Sequence, residues 1–302
     1  MTRLLPILCF CGVLAAQDSA RLGAELQRIE QESGGLLGMS AVDLDSGVSV
    51  GWRSKERFPM MSVYQLPIAL RALALMEGGA LPFRKWFKLE PGDFSAGHSP
   101  LRDQFPDGVV RTAGQLLELM VRDSDSSACD FLIGQVGGAK AVNLLMNRLT
   151  EGGIRVDRTE AEMSADFAAL GSKGFVEDGR DSATPEAMTA LLTMIERRRL
   201  LQPKTTDTLI RWMTETPHGH KRIKALLPAG VRVWHKTGSG GTKDGVTLCT
   251  NDAGVIMPPG TTGRIALTVF VKLSTKDSAA QGRAIAETAL AIYRFYRESS
   301  SK

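Results

Sequence analysis

The sequence predicts an α+β fold: a sheet flanked by helices is built from both ends of the chain, and an all-α lobe is inserted between them. Strand patterns occur near the N-terminus and again after residue 231, and helical patterns fill most of the sequence between. With 302 residues, of which 43% are hydrophobic, the chain is long enough for a large core or two packed lobes. We place the α/β lobe at about residues 17–58 and 203–302 and the all-α lobe at about 59–202, within a single domain.

The first 16 residues have the pattern of a cleaved secretory signal. Arg3 precedes an apolar run from Leu4 to Ala16, and polar sequence follows. This run is too short to span a membrane as a stable helix. We therefore expect cleavage near Ala15 or Ala16 and an exported bacterial protein, periplasmic or secreted, without a membrane span in its mature form.

Apolar spacing predicts the elements of the first two thirds of the chain. Leu22, Leu26 and Ile29 indicate a helix over about 19–32, and two strands follow around a turn at 45–47. The later helices are expected from Ser62 to the Gly78-Gly79 pair, over 112–123, 127–138 and 139–150, and from Pro185, which Thr184 caps.

The last third of the chain returns to strand patterns. They cover 231–239, 246–257 and 264–273, and a final helix is expected over about 277–298. Nearly every residue of 264–273 is apolar, which indicates a central strand covered on both faces.

Charge and histidine spacing exclude two kinds of partner. The net charge is only +4 and the basic residues are dispersed, whereas nucleic-acid binding needs a basic stripe with interleaved aromatic residues. No Cys, Asp or Glu stands at ligand spacing beside His218, His220 and His235. We therefore predict no metal and no other cofactor, with these histidines on the surface or on the wall of a site.

Two cysteines remain after the signal, Cys129 in a predicted helix and Cys249 in a predicted strand. An oxidising compartment permits a disulfide between them, but nothing in the sequence places them next to each other. Two buried free thiols are the favoured prediction.

Four polar segments are hard to explain by packing alone: SVYQ at 62–65, SDS at 124–126, TEAEMS at 159–164 and HKTGSGG at 235–241. A lone serine three residues before a glutamine is usually structural, and the nearby pair Glu160 and Glu162 by itself suggests a glycosidase as well. In this order, however, the segments resemble the S-x-x-K, S-D-N and K-T-G motifs of the class A serine β-lactamase family, with K-T-G intact.

The resemblance extends over almost the whole mature chain, from about residue 20 to 298. Segments such as SPLRDQFPDG, PHGHKRIKALLPAG and NDAGVIMPPG also look like family sequence, in family order. It implies the β-lactamase/DD-peptidase-like fold, whose sheet is antiparallel, and hydrolysis of a small-molecule β-lactam of the penicillin or cephalosporin type. A monomer is the default expectation.

The resemblance also implies a role for each matching residue. Ser62 would be the acylated nucleophile, and its N–H and that of Ser239 would form the oxyanion hole. Glu160, on an omega loop, would activate the deacylating water, Ser124 would relay a proton to the leaving nitrogen, and Lys236 would supply positive potential. Substrate binding is implied for His98, Ser126, Ser164, Arg222, Thr237, Gly238 and Ser239, and closure of the omega-loop neck for Arg158 with Asp181.

Gln65 stands where the family has lysine, and this departure matters most. An amide cannot accept the serine proton, and it leaves Glu160 without a neighbouring cation, which should raise the pKa of that carboxyl. Because a well-placed general base contributes roughly 10²–10⁴ in rate, Gln65 bears directly on activity. Ser126 and Ser164 replace asparagines of the family pattern, and the Gly-rich stretch 171–179 lengthens the omega loop and favours a mobile segment.

Three functions therefore remain open. The first is an exported serine β-lactamase that uses Ser62 and Glu160, with activity weakened to an unknown degree by Gln65. The second is a catalytically impaired protein of the same fold that binds β-lactams or cell-wall peptides. The third is a hydrolase for another amide or ester. Glu160 favours hydrolysis over permanent acylation, because a carboxylate beside the ester can activate water.

Overall fold

The structure, a computed structural model, describes residues 10–299. The helices are α1 (Phe10–Ser33), α2 (Gln65–Glu77), α3 (Pro100–Gln104), α4 (Ala113–Arg122), α5 (Ser126–Gln135), α6 (Gly138–Thr150), α7 (Glu160–Asp178), α8 (Pro185–Glu196), α9 (Pro203–Thr214) and α10 (Ser278–Ser299). The strands are β1 (Leu36–Asp43), β2 (Ser49–Trp52), β3 (Phe58–Pro59), β4 (Trp86–Leu89), β5 (Val109–Thr112), β6 (Ser182–Ala183), β7 (Arg232–Ser239), β8 (Thr242–Lys243), β9 (Val246–Met257) and β10 (Ile265–Ser274). Residues 1–9 of the predicted signal lie outside the described residues.

The main sheet has the order β2-β1-β10-β9-β7, with β8 paired to β9, and its neighbouring strands are antiparallel. The predicted α+β class and the central position of the apolar strand are both confirmed, since β10 lies third in this order. β10 is buried along almost its whole length because helices cover both faces of the sheet.

One face of the sheet is covered by α1 and α10, which pack against each other. Leu26 and Ile29 of α1 and Ile285 and Ile292 of α10 are buried in one apolar cluster with Val269 of β10. The predicted apolar stripe of the first helix and the predicted final helix are therefore both confirmed.

The other face of the sheet packs against α8, which the sequence analysis placed in the all-α lobe. Thr184 caps α8 as predicted, by accepting a hydrogen bond from the Ala187 N–H. Thr189 in its middle donates a hydrogen bond of 3.0 Å to the Ser40 carbonyl and lies 2.9 Å from Thr268 Oγ1. The chain thus contacts the main sheet through residues 185–196.

The stretch 171–179 is mostly helical, although its composition favoured a mobile loop. It forms the second half of α7, which bends at Gly171, where φ is +66°. Ser172 Oγ donates 2.6 Å to the Val246 carbonyl, and Lys243 Nζ donates 2.6 Å to the Ala168 carbonyl. These bonds tie α7 to the β8–β9 region beside the pocket described below.

Candidate active site

A polar pocket of about 380 Å³ opens where the turn before α2, the start of α5 and the end of β7 meet. Seven of the predicted site residues line it, together with two residues that the motifs did not mark. The predicted ones are Ser62, His98, Ser124, Arg222, Thr237, Gly238 and Ser239, and the others are His218 and Gly219.

Ser62 lies in a single 3₁₀ turn, Met61–Tyr64, that runs directly into α2. Met61 is in the left-handed region at φ +45°, an uncommon conformation that clusters at functional sites. Asn251 Nδ2 fixes this turn by donating 2.7 Å to the Pro59 carbonyl and 3.1 Å to that of Met60. The backbone that leads into the nucleophile candidate is therefore held by side-chain hydrogen bonds from β9.

Gly238 allows β7 to approach the Ser62 turn closely. A Cβ atom at this position would lie 2.3 Å from the Met60 carbonyl oxygen and 3.2 Å from the Val63 nitrogen. Because no side chain fits there, glycine allows Ser239, the next residue, to line the same pocket as Ser62.

A chain of buried hydrogen bonds runs behind the pocket through four of the predicted residues. Lys236 Nζ donates 2.7 Å to Ser124 Oγ, which donates 3.3 Å to Gln65 Oε1. Gln65 Nε2 in turn donates 2.8 Å to Glu160 Oε1. The residue that departs from the family pattern thus lies at the centre of this network.

Glu160 is the first residue of α7, and the backbone there is tightly held. Thr159 and Glu162 form a capping box, in which each side chain accepts a hydrogen bond from the other residue's N–H. Asp130 of α5 accepts 2.6 Å from the Glu160 N–H and 3.0 Å from the Ala161 N–H. Glu160 is therefore positioned by two independent sets of hydrogen bonds.

Burial raises the pKa of Glu160 to about 7, which outweighs the opposing effect of the hydrogen bond from Gln65. The nearby charge of Asp130 raises it further, and Lys236 lowers it. Burial lowers the pKa of Lys236 to about 8, although Glu160 favours the charged ammonium. Each end of the network therefore holds a group that changes charge near neutral pH.

Arg158 and Asp181 form a buried ion pair across the neck of the α7 segment. Arg158 Nε lies 2.6 Å from Asp181 Oδ2, and Asp181 Oδ1 accepts 2.6 Å from the Asp157 N–H. Arg158 also pairs with Asp166 at 2.7 Å and stacks on Phe175 at 4.3 Å. These contacts join both ends of the segment that begins with Glu160.

Arg222 reaches the end of β7. It donates 2.5 Å to Ser239 Oγ, 3.0 Å to the Gly238 carbonyl and 2.7 Å to the Asn251 carbonyl. Behind it, Asp252 accepts 2.7 Å from His235 and 3.2 Å from the Ile223 N–H. A cation is thus held beside Thr237 and Ser239, where an anionic group of a ligand can bind.

Two histidines form one wall of the pocket. The rings of His98 and His218 meet edge to face at 5.4 Å, and each Nε2 lies within 3.2 Å of the Asp123 carbonyl. Sequence reasoning allowed His218 a place on a site wall but assigned it no role. Its pairing with His98 depends on segments 120 residues apart and has no local signal.

Ser126 and Ser164 do not line the pocket. Ser126 is 3% exposed, and its N–H donates 2.8 Å to the His98 carbonyl. Ser164 lies one turn after Glu160 on α7 and is exposed. Their predicted contacts with substrate and water remain predictions.

The structure also bears on metal binding, membrane insertion and disulfide formation. Among residues 10–299, no group of three or more His, Cys, Asp or Glu side chains is placed to hold a metal ion. In the same part of the chain, no helix is long and apolar enough to cross a membrane. Cys129 and Cys249 are buried free thiols.

Comparisons with known proteins agree with one another. Residues 21–296 match the family described as "Beta-lactamase enzyme family". The chain is 29% identical over 293 residues to β-lactamase VEB-1 of Pseudomonas aeruginosa, which covers 96% of this chain and 95% of that protein. It superposes on the TLA-1 extended-spectrum β-lactamase with a TM-score of 0.84 at 29% identity, covering 92% of this chain and 99% of that one. It also superposes on a class A β-lactamase of Bacteroides cellulosilyticus with a TM-score of 0.83 at 26% identity, covering 93% of this chain and 99% of that one.

Proposed function

Because this chain belongs to the class A β-lactamase family, we propose that it is a serine hydrolase that opens β-lactam rings through an acyl-enzyme on Ser62. The observation that carries the proposal is the placement of Glu160. Its carboxylate ends a hydrogen-bond chain that reaches the pocket at Ser124, where Ser62 also lies.

Ring opening begins with attack of Ser62 Oγ on the lactam carbonyl carbon. The carbonyl oxygen gains negative charge, and the N–H groups of Ser62 and Ser239 stabilise it as the oxyanion hole. Gly238 supports this assignment because it allows β7 to pack closely against the Ser62 turn, so that Ser62 and Ser239 line one pocket. Ser124, in contact with the Lys236 ammonium, delivers a proton to the leaving nitrogen.

Substrate is oriented by its carboxylate. Thr237 and Ser239 line the pocket, and Arg222 donates to the Ser239 hydroxyl, so a hydroxyl pair with a guanidinium behind it faces the ligand. Charge-assisted hydrogen bonds of this kind suit the carboxylate that penicillins and cephalosporins carry. His98 and His218 form the opposite wall and contact the rest of the substrate.

Glu160 activates the water that releases the acyl group. A general base works best when its pKa lies near the operating pH, and burial raises the pKa of Glu160 to about 7. The Gln65 amide holds this carboxylate in place at 2.8 Å, which a lysine would otherwise do. Hydrolysis therefore survives the departure at position 65, at a reduced rate.

Gln65 also supports a second candidate, a protein of the same fold that binds β-lactams or cell-wall peptides and does not turn over. The amide brings no charge and cannot accept the Ser62 proton. Two measurements in one experiment separate the candidates: mass of the protein and amount of hydrolysed benzylpenicillin, followed over time. Product in excess over enzyme supports the hydrolase, and a bare or permanently acylated protein supports the binder.

We further propose that the enzyme is exported. The basis is the apolar run from Leu4 to Ala16. Expression of the full chain in a bacterial host, followed by N-terminal sequencing of the periplasmic protein, tests export. An N-terminus at residue 16 or 17 supports it, and cytoplasmic protein that retains Met1 contradicts it.

A further inference from the structure

Gln65 divides the buried network into two parts that cannot exchange a proton through it. Its Oε1 accepts from Ser124 and its Nε2 donates to Glu160. An amide neither binds nor releases a proton at neutral pH, so it can bridge these groups without conducting between them. Glu160 lies on one side of this divide, and Lys236 with Ser124 lies on the other.

The side of the divide that reaches Ser62 is the one that holds Lys236. Ser124 lines the same pocket as Ser62, whereas neither Gln65 nor Glu160 does. Ser124 is fixed at φ +57°, and its neighbour Asp125 is anchored by hydrogen bonds from the N–H groups of Leu101 at 2.7 Å and Ala128 at 2.8 Å. The Ser124 hydroxyl is therefore rigidly placed between the pocket and Lys236 Nζ, 2.7 Å away.

We propose that Lys236, acting through Ser124, is the base that removes the Ser62 proton during acylation, while Glu160 serves only deacylation. This inference rests on the proposed function. The family pattern has a lysine at position 65 that could accept the serine proton. We assign that task to Lys236, which lies in strand β7.

The proton movements balance within this group of residues. Neutral Lys236 takes the Ser124 hydroxyl proton as Ser124 takes that of Ser62, and Ser62 Oγ forms its bond to the carbonyl carbon. The carbonyl π electrons move to the oxygen in the oxyanion hole. The oxygen lone pair then re-forms the carbonyl double bond as the C–N bond breaks and its electron pair leaves with the nitrogen. The nitrogen takes a proton from Ser124, which regains one from the Lys236 ammonium. No further acid or base is needed.

The surroundings of Lys236 permit this cycle. Glu160 from α7, Asp252 from β9 and Cys129 from α5 favour the protonated form of Lys236. Burial and the charge of Arg222 favour its neutral amine. Burial dominates, and the pKa is lowered to about 8. About a tenth of the molecules therefore carry the neutral base at pH 7.

The first test is the second-order rate constant for acylation by benzylpenicillin, followed by quenched-flow intact mass between pH 5.5 and 9. In Glu160→Ala we expect acylation within about 10-fold of the parent, with a rate that still rises with pH, because the acylation base is intact. The midpoint should lie below that of the parent, since the charge of Glu160 no longer favours the ammonium. A loss of 100-fold or more, with a flat pH profile, would make Glu160 the acylation base and overturn the inference.

The second test replaces the base and keeps its charge. Arginine is always protonated, so Lys236→Arg should lower the acylation constant by about 100-fold or more and abolish its rise with pH. Lys204→Arg, at an exposed site on α9, is the matched control and should acylate like the parent. Lys236→Arg that acylates within about 3-fold of the parent, with an unchanged pH profile, would overturn the inference.

Failure of the proposed function and failure of the Lys236 inference give different experimental results. A parent protein that forms no Ser62 adduct contradicts the proposed function and this inference together. A parent that turns over benzylpenicillin, with Lys236→Arg acylating normally, contradicts only the role of Lys236.

Discussion

Gln65 Nε2 donates a hydrogen bond of 2.8 Å to Glu160 Oε1. This contact joins the residue that departs most from the family pattern to the carboxylate to which we assign deacylation. A lysine there would hold the carboxylate by charge as well as by hydrogen bonding, whereas the amide supplies only a neutral donor. The pKa of Glu160 therefore rises with burial to about 7, and the carboxylate remains available as a base near neutral pH.

Removing the Glu160 carboxylate should trap the acyl-enzyme. In Glu160→Ala the water loses its base, so we expect deacylation to slow by roughly 10²–10⁴ and a stable penicilloyl adduct to appear in the intact mass. Glu177→Ala, at an exposed position of the same helix, is the control and should turn over like the parent. Unmodified Ser62 in Glu160→Ala after penicillin treatment would be incompatible with the assigned roles.

Restoring the family lysine should speed acylation. Gln65→Lys places a second amine between Ser124 and Glu160, which reconnects the two parts of the network, and we expect at least about a 10-fold rise in the acylation constant. Gln65→Met has similar length without a donor or a charge, and it should not accelerate the step. An unchanged rate in Gln65→Lys would mean that the site has been rebuilt around glutamine.

The buried Glu160 should cost stability as the pH rises. Its folded-state pKa of about 7 lies above the ordinary value of 4.5, so folding favours the protonated form and stability is lost between about pH 4.5 and 7. Glu160→Gln cannot ionise, so its unfolding free energy relative to the parent should increase by about 3 kcal/mol across this window and level off above it. Urea unfolding of both proteins at pH 4.5 and pH 8 measures this difference in unfolding free energy. A difference that is the same at both pH values would contradict the raised pKa.

Breaking the ion pair at the neck of α7 should destabilise the protein and slow deacylation. Asp181 is fully buried and accepts hydrogen bonds from Arg158 Nε and the Asp157 N–H, so Asp181→Asn removes the fully buried charge partner of Arg158 and leaves its pairs with Asp166 and Asp178. We expect a loss of about 3–5 kcal/mol in urea unfolding. Asp207→Asn breaks an exposed pair with Arg198 and should cost less than about 1 kcal/mol. Equal losses in the two variants would show that the buried pair is not what holds the segment.

Periodicity predicted the elements whose burial is regular, and it failed where contacts come from distant parts of the chain. The apolar run of β10 and the stripe of α1 were readable because their packing repeats along each element. The two-stranded sheet of β4 and β5 was not predicted, since its strands are four residues long and Trp86 is 65% exposed. The helical half of α7 escaped for another reason: its glycines suggested a loop, but side-chain bonds to β9 hold it.

In the candidate active site, too, the sequence did not predict the contacts between distant parts of the chain. Motifs located Ser62, Ser124, Glu160 and Lys236 because family resemblance marks residue types in order. They did not reveal that Gln65 would connect Ser124 to Glu160, since that contact spans 95 residues and depends on how α2 and α7 pack. An isolated substitution in a motif predicts a lost function, and only the three-dimensional contacts indicate which neighbour takes it over.

The most direct test of the central claim is an intact-mass time course of the mature protein in excess benzylpenicillin, with hydrolysed product measured in parallel. Our account predicts an adduct on Ser62 that appears and then clears while penicilloate accumulates well beyond one equivalent. A protein that stays bare, or that stays acylated without releasing product, would contradict it and would show that Gln65 marks a fold that has lost β-lactam hydrolysis.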